Sequence, residues 1–165
     1  MALETIPIQG IWRLLRWLPG FLLRRYFTKE KLSQLIYVDL RPRHSSVVVD
    51  LGESASFSLW LMAINLSPFP VELDRAGFRF WLGGSTIDAS ILKKQVIAPG
   101  EVASLYISGA IPEGPANQFA RHSGNPVALD GNIEFNCNVR SFAKTVGHLD
   151  GINPIVHNEH VRRDA

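Results

Sequence analysis

The sequence predicts a mostly β protein: a seven-stranded antiparallel sandwich of immunoglobulin/fibronectin-III-like type with one short helix, preceded by an N-terminal amphipathic helical segment. Three observations predict it. From about residue 34 onward, apolar and polar residues alternate with the period of two that a half-buried strand requires. Turn signals rich in Pro and Gly interrupt these runs about every ten residues, a spacing typical of antiparallel sandwiches. The chain has 165 residues, 46% of them hydrophobic and 19% charged, which suits one core-forming domain and excludes general disorder.

Residues 1–33 form the basic head. Residues 1–45 hold eight Lys/Arg against three acids, a balance of +5, while the remaining nine Lys/Arg against twelve acids give −3, together the overall +2. A basic head on a mildly acidic body points to an anionic partner. No apolar run in the head approaches the roughly 20 residues needed to cross a bilayer. A cleavable signal peptide also fits poorly, because Pro19 and Gly20 fall within the short run Trp17–Leu23. Gln9, Arg13, Arg16, Gly20 and Arg24 follow at helical spacing as a polar stripe, with Arg25 off it. Ile11, Leu14, Leu15, Leu18, Phe21, Leu22 and Tyr26 take the other side. Trp12 and Trp17 lie near the borders, where indoles straddle lipid and water. Pro19 predicts a division into helices over roughly 8–18 and 20–33.

This pattern suits an interfacial helix on an anionic membrane, with Trp12, Arg13, Leu15, Arg16, Trp17, Phe21, Leu22, Arg24 and Arg25 as the contact residues. A helix packed on the domain with its Arg stripe solvated is the competing reading. A mitochondrial transit peptide is a third, weakened by the absence of Ser from residues 5–29. Nucleic acid is not expected, because the aromatic residues stand on the apolar side and not among exposed basic ones.

The domain proper is expected over 34–147. Its strands are read at Leu35–Leu40, Ser46–Leu51, Ala55–Leu66, Val71–Leu82, Ser85–Leu92 and Val102–Ile107, and finally over 132–141. In the fourth, Phe78, Phe80 and Leu82 face one way, with Arg79 and Trp81 facing the other. Gly83-Gly84 marks a hairpin and Ala98-Pro99-Gly100-Glu101 a turn. In the last strand Ile133, Phe135, Cys137 and Val139 alternate with polar residues. Pro115–His122 is expected as the short helix. Residues 148–165 are polar and read as a frayed tail.

Two of these turns carry a resemblance. Ile64-Asn65-Leu66-Ser67-Pro68-Phe69-Pro70-Val71 resembles the Asn-Pro-Asn-x-(Phe/Leu)-Pro-Val turn of group 2 late-embryogenesis-abundant proteins, whose domain is also called the water-stress and hypersensitive-response domain. Val96-Ile97-Ala98-Pro99-Gly100-Glu101 is similar to that family's next turn, and the likeness extends over about 36–142. Leu66 stands where many members carry proline. The resemblance implies a seven-stranded sandwich with one helix and a non-enzymatic role in stress protection or at membranes, and it carries over no catalytic residue.

Other candidate sites read as structural. His157-Asn158-Glu159-His160 lacks the His-Glu-x-x-His spacing that places two imidazoles on one helix face. Cys137, the single cysteine, falls on the apolar side of its strand. Asp50, Glu53, Glu72, Asp74 and Asp88 lie near strand ends, where solvated charge is the rule. Asn65-Leu66-Ser67 matches a glycosylation acceptor but is followed by Pro68. Trp60, Phe78, Phe80 and Trp81 line either a filled core or a groove between the sheets for an apolar ligand.

The leading expectation is a non-enzymatic protective or adaptor protein, peripheral on an anionic membrane, on its cytoplasmic side and not secreted. A lipid or a membrane protein is a further partner. No cofactor and no metal are expected, and the sequence leaves the oligomeric state open. The alternative is a carrier that binds lipid or another apolar ligand between its two sheets.

Overall fold

The computed structural model describes residues 18–41, 47–91, 93–122 and 127–163. The expected helix 8–18, apart from Leu18, and the candidate contacts Trp12, Arg13, Leu15, Arg16 and Trp17 lie outside these residues. The described chain runs α1 (Gly20–Tyr26), α2 (Lys29–Gln34), β1 (Ile36–Leu40), β2 (Val47–Asp50), β3 (Ser56–Asn65), β4 (Val71–Leu82), β5 (Ser85–Ile91), β6 (Gln95–Ile97), β7 (Val102–Ala110), α3 (Glu113–Arg121), β8 (Val127–Asn136), β9 (Phe142–Ile152), β10 (Ile155–His157) and α4 (His160–Arg163).

The strands form two five-stranded sheets. In the first, β3 is central: β7 pairs along one edge, while β1 and β2 share the other. β10 adds to β2 in parallel. In the second, β4 is central: β8 pairs along one edge with β9 outside it, and β5 and β6 share the other. Strand alternation sends one face of each sheet inward. Phe57, Leu59, Leu61 and Ala63 of β3 are buried, as are Phe78, Phe80 and Leu82 of β4. Phe57 stacks on Phe80 with centroids 4.9 Å apart, joining the two sheets into a sandwich-like core.

The hairpin at Gly83-Gly84 forms as its dipeptide demands. Both residues have positive φ, 55° and 89°, the backbone that a two-residue turn matched to strand twist requires. α3 lies against this hairpin, with Ser85 Oγ donating to Gln118 Oε1 at 2.7 Å. α3 buries Ala116, Phe119 and Ala120, an i, i+3, i+4 set.

The structure corrects the expected seven strands to ten among the described residues. β6 and β10 are three residues each, too short to show a period. β9 was hidden because it does not alternate. Its buried residues Phe142, Val146 and Ile152 are four and six apart, since the β8–β9 ladder shifts register twice. The strand expected over 132–141 instead spans Val127–Asn136, and Cys137 and Val139 belong to the loop beyond it. Residues 148–165, expected as a frayed tail, hold the end of β9, all of β10 and α4. The helix expected over 20–33 is two helices. Thr28 is extended (φ −71°, ψ 168°), and its hydroxyl accepts from the Lys31 N–H, which starts α2 afresh.

Candidate functional site: the open face of α1

At one end of the sandwich lie the loops that leave β3, β6 and β8, and α1 and α2 join them. Asn65, at the end of β3, ties two of these loops together. Its side chain is fully buried, so every polar atom on it needs a partner. Nδ2 donates to Phe69 O (2.8 Å) and Ile97 O (2.9 Å), and Oδ1 accepts from Ser67 N (2.9 Å) and Ser67 Oγ (2.6 Å). The Asn65 backbone completes the tie, donating to Glu101 O and accepting from Gly100 N. Glu101 N–H bonds back to Ala98 O across Pro99-Gly100, with Gly100 at φ 78°, a turn that needs proline second and glycine third. The two turns that carry the family resemblance are therefore one hydrogen-bonded unit centred on Asn65. The Ser67 hydroxyl is consumed within it, and Asn65 and Ser67 are both buried, so Asn65-Leu66-Ser67 is a structural turn with only Leu66 exposed.

That unit fixes Phe69, and Phe69 seats the head. The Phe27 ring meets Phe69 edge-on, centroids 5.0 Å apart, and Phe27 is 4% exposed. One turn earlier Leu23 is buried too, and Leu32 of α2 is fully so. Leu23, Phe27 and Leu32 are thus the anchors. At the C-terminal end of α1 an Arg140 Nη2 donates to the Arg24 carbonyl, satisfying one of the orphan acceptors of the helix end.

With Leu23 turned inward, the rest of α1 faces out. Phe21 is 70% exposed and Tyr26 64%, while Leu18 and Leu22 are each 41% exposed. The side chains of Leu18, Leu22, Leu23, Tyr26 and Phe27 line a shallow, largely apolar hollow of about 540 Å³. Arg25 and Lys31 stand at it, and Lys31 Nζ sits 4.2 Å from the Tyr26 ring centroid, a cation–π contact. Arg24 and Lys29 are exposed beside it. Isolated exposed apolar residues are ordinary, but four within nine residues, flanked by four cations, are not.

Of the expected contact residues within the described chain, Phe21, Leu22, Arg24 and Arg25 fall together on this open surface. Sequence reasoning missed the anchors Leu23 and Phe27, because which side of the helix turns inward depends on packing against the distant body of the chain, Phe27 on Phe69 among it. The packed reading of the head holds for the Leu23 side of α1, and the opposite side is exposed to solvent.

The four aromatic residues expected to line an apolar groove do not come together. Phe78 and Phe80 are buried in the core. Trp81 lies on the outer face of the second sheet, and Trp60 on the outer face of the first, 4.8 Å from the Tyr106 ring. The period of two that buries Phe80 necessarily turns its neighbour Trp81 outward.

The remaining candidates are separate from one another. Asp50 accepts from Gly52 N and Asn158 Nδ2, which hold its carboxyl below the usual carboxylate range, the Asn158 bond foremost. Lys94 bridges Glu72 (3.4 Å) and Asp74 (3.0 Å), and its hydrogen bond to Asp74 lowers that carboxyl and raises the ammonium. Asp88 faces Arg79 at 4.0 Å. Cys137 is half-buried, its thiol directed at Arg140 O. Among the described residues no three His, Cys, Asp or Glu gather as a metal site, and no helix is long and apolar enough to cross a membrane.

No family model and no characterised protein matches the chain in sequence. Solved structures do resemble it. A structural-genomics target solved by X-ray crystallography is 12% identical with a TM-score of 0.52, covering 73% of this chain and 87% of its own. The ApaA protein of Bordetella pertussis is 11% identical with a TM-score of 0.50, covering 73% and 93%. At such identities the likeness speaks for the fold alone. A late-embryogenesis-abundant protein solved in solution also resembles the chain at 9% identity, covering 91% and 92%, but its TM-score of 0.35 is too low to establish a common fold.

Proposed function

We propose that this protein is a non-enzymatic β-sandwich, of the immunoglobulin/fibronectin-III-like class, that docks peripherally on an anionic membrane through α1 and serves there in a protective or adaptor role. The single observation that carries the reading is the two-sided seating of α1. Leu23 and Phe27 fix it to the sandwich, while Leu18, Phe21, Leu22 and Tyr26 remain open to solvent beside Arg24, Arg25, Lys29 and Lys31. Apolar side chains enter the headgroup region and the cations meet anionic lipid, two contributions that add. The +5 balance of residues 1–45 has the sign this partner needs. The late-embryogenesis-abundant resemblance of the two turns at Asn65 supports the protective role.

The carrier reading has less support. It requires a hollow between the sheets, where Phe57 and Phe80 stack at 4.9 Å, and Trp60 and Trp81 point away from that space.

Co-sedimentation with vesicles tests the docking. The full chain is expected to pellet with phosphatidylserine-containing vesicles and to be released by salt, as the Debye length falls from about 10 Å at 0.1 M to about 3 Å at 1 M. Leu22→Glu is expected to abolish pelleting at any salt with little change in thermal stability, because Leu22 lies outside the buried core. Full-length protein that stays in the supernatant at low salt overturns the reading.

A further inference from the structure

The outer face of the second sheet holds a groove of about 740 Å³, apart from α1 and sharing no residue with it. It exists because β4 and β9 carry glycine where a side chain would fill it. A Cβ built on Gly77 or on Gly147 meets no atom within 4 Å. The strand register sets the walls in rows. Ser90, Gly77, Asn132 and Thr145 lie side by side across β5, β4, β8 and β9. The next row places Asp88, Arg79 and Asp130 across β5, β4 and β8. Trp81, two residues beyond Arg79 on the same face, stands behind them.

The polar groups are held, yet each keeps capacity to spare. Trp81 Nε1 donates to Asp130 Oδ2 at 3.1 Å, and Arg79 Nε faces Asp88 Oδ1 at 4.0 Å. The Arg79 guanidinium lies 6.0 Å from the Trp81 ring, and His148 meets that ring edge-on at 6.4 Å. A carboxylate can accept about four hydrogen bonds and a guanidinium can donate five, so most of this capacity is unused. One Arg between two carboxylates leaves no net positive charge, which disfavours phosphate, sulfate and carboxylate ligands. Donors and acceptors a few ångströms apart suit groups that both donate and accept, which is the chemistry of adjacent hydroxyls. The hydroxyls of Ser90 and Thr145 and the amide of Asn132 continue it along the groove.

We propose that this groove is a binding site for an uncharged oligosaccharide, lying across the strands with its hydroxyls on Arg79, Asp88, Asp130 and Asn132. Trp81 lies just outside the groove, next to Arg79 and His148, and offers an apolar surface for the C–H face of a sugar ring that extends past the Arg79 row. The glycines let the saccharide approach the sheet backbone, as close approach of a ligand to a strand requires.

Titration of the full chain with cellohexaose, maltohexaose, laminarihexaose and mannohexaose, followed by amide NMR shifts and tryptophan emission, tests it. At least one hexasaccharide is expected to shift the amides of 77–79, 130–132 and 145–148. Gly77→Leu and Gly147→Leu both place a side chain in open space, so they keep the fold and fill the groove. Each is expected to weaken binding by about tenfold or more, as is Trp81→Ala, while vesicle binding stays unchanged. Silence from all four sugars at about 10 mM, above the millimolar range of weak specific binding, overturns the proposal. So does binding that survives Gly77→Leu and Gly147→Leu, or tighter binding of a galacturonic acid hexamer than of any neutral sugar.

Discussion

The helices at the two ends of the described chain, α1 and α4, are held by opposite means. α4 is fastened by one polar side chain. Arg162 donates through Nε to Leu51 O, through Nη1 to Asn117 Oδ1, and through Nη2 to Gly52 O and Glu53 O, at 2.9–3.1 Å. α1 is fastened by apolar ones, with Leu23 buried, Phe27 seated at Phe69 and its outer residues left open. A guanidinium that spends four of its five N–H donors on oxygens of its own chain has little left for a partner. An apolar seat fixes one face of a helix and does nothing to cover the other. The C-terminal helix therefore closes the fold, and the N-terminal helix presents a surface.

Removing the seat should have the largest effect. Phe27→Ala is expected to cost about 3–5 kcal/mol, the range for buried Phe truncation, and to release α1, so vesicle binding fails as well. Denaturant midpoints and co-sedimentation check the two consequences together. An unchanged midpoint with intact pelleting would mean that the seat is dispensable and that the contrast between the helices is only apparent.

Removing the clamp should cost less and touch stability alone. Arg162→Ala leaves Leu51 O, Gly52 O and Glu53 O without their charged donor, an expected loss of about 2–3 kcal/mol. Arg162→Lys should restore little of it, since a point charge cannot reproduce a planar fork aimed at several acceptors. Vesicle binding by both variants is expected to match that of the parent chain. A binding defect in Arg162→Ala would show that the two ends are coupled.

The cations of α1 should have smaller, separable effects. Arg24→Gln and Arg25→Gln are each expected to weaken vesicle binding by about 1 kcal/mol at low salt, with no change in melting temperature. By helical spacing alone Arg25 lies off the polar stripe and should matter least. Its place at the hollow with Tyr26 and Lys31 predicts instead an effect equal to that of Arg24.

How much of this contrast was legible in the sequence depended on periodicity. β4 alternates from Ala76 to Leu82 beyond its bulge, and its inward Phe78, Phe80 and Leu82 were readable one by one, whereas the second half of β3 is apolar on both faces and its inward set was not. The Pro-Gly turn at 98–101 and the Gly-Gly hairpin announced themselves through backbone conformations that few residues tolerate. α4 was not readable. It is four residues long, and Arg162 holds it through carbonyls more than a hundred positions away. β9 was lost to its bulges, and β10 to its length. On α1 the apolar character was plain, but the choice of Leu23 over Leu22 as the buried residue rests on a tertiary contact. The outer groove was invisible as well, because its deepest feature is the absence of side chains at Gly77 and Gly147, on strands whose register no local pattern fixes.

The smallest expected effect sharpens the C-terminal side of the comparison. Asn158 lies between β10 and α4 and donates through Nδ2 to Asp50 Oδ1 at 2.8 Å, beside the Gly52 N–H at 2.9 Å. Both bonds favour the ionised carboxylate, and the one from Asn158 does most to hold Asp50 below its ordinary value. A depressed folded-state value means that the unfolded chain takes up its proton first as pH falls. The stabilisation is therefore fully present above the ordinary carboxylate range and is lost as pH drops through the folded-state value. Asn158 has φ 56°, which glycine adopts freely, so Asn158→Gly removes the donor while preserving the backbone. Melting temperatures of parent and variant should differ modestly near pH 7 and converge in acid below the carboxylate range. Solvent screening at this half-exposed site keeps the gap well below that of Arg162→Ala. A gap that stays constant down to the lowest pH at which both fold would place the contribution of Asn158 in its backbone turn and not in the bond to Asp50.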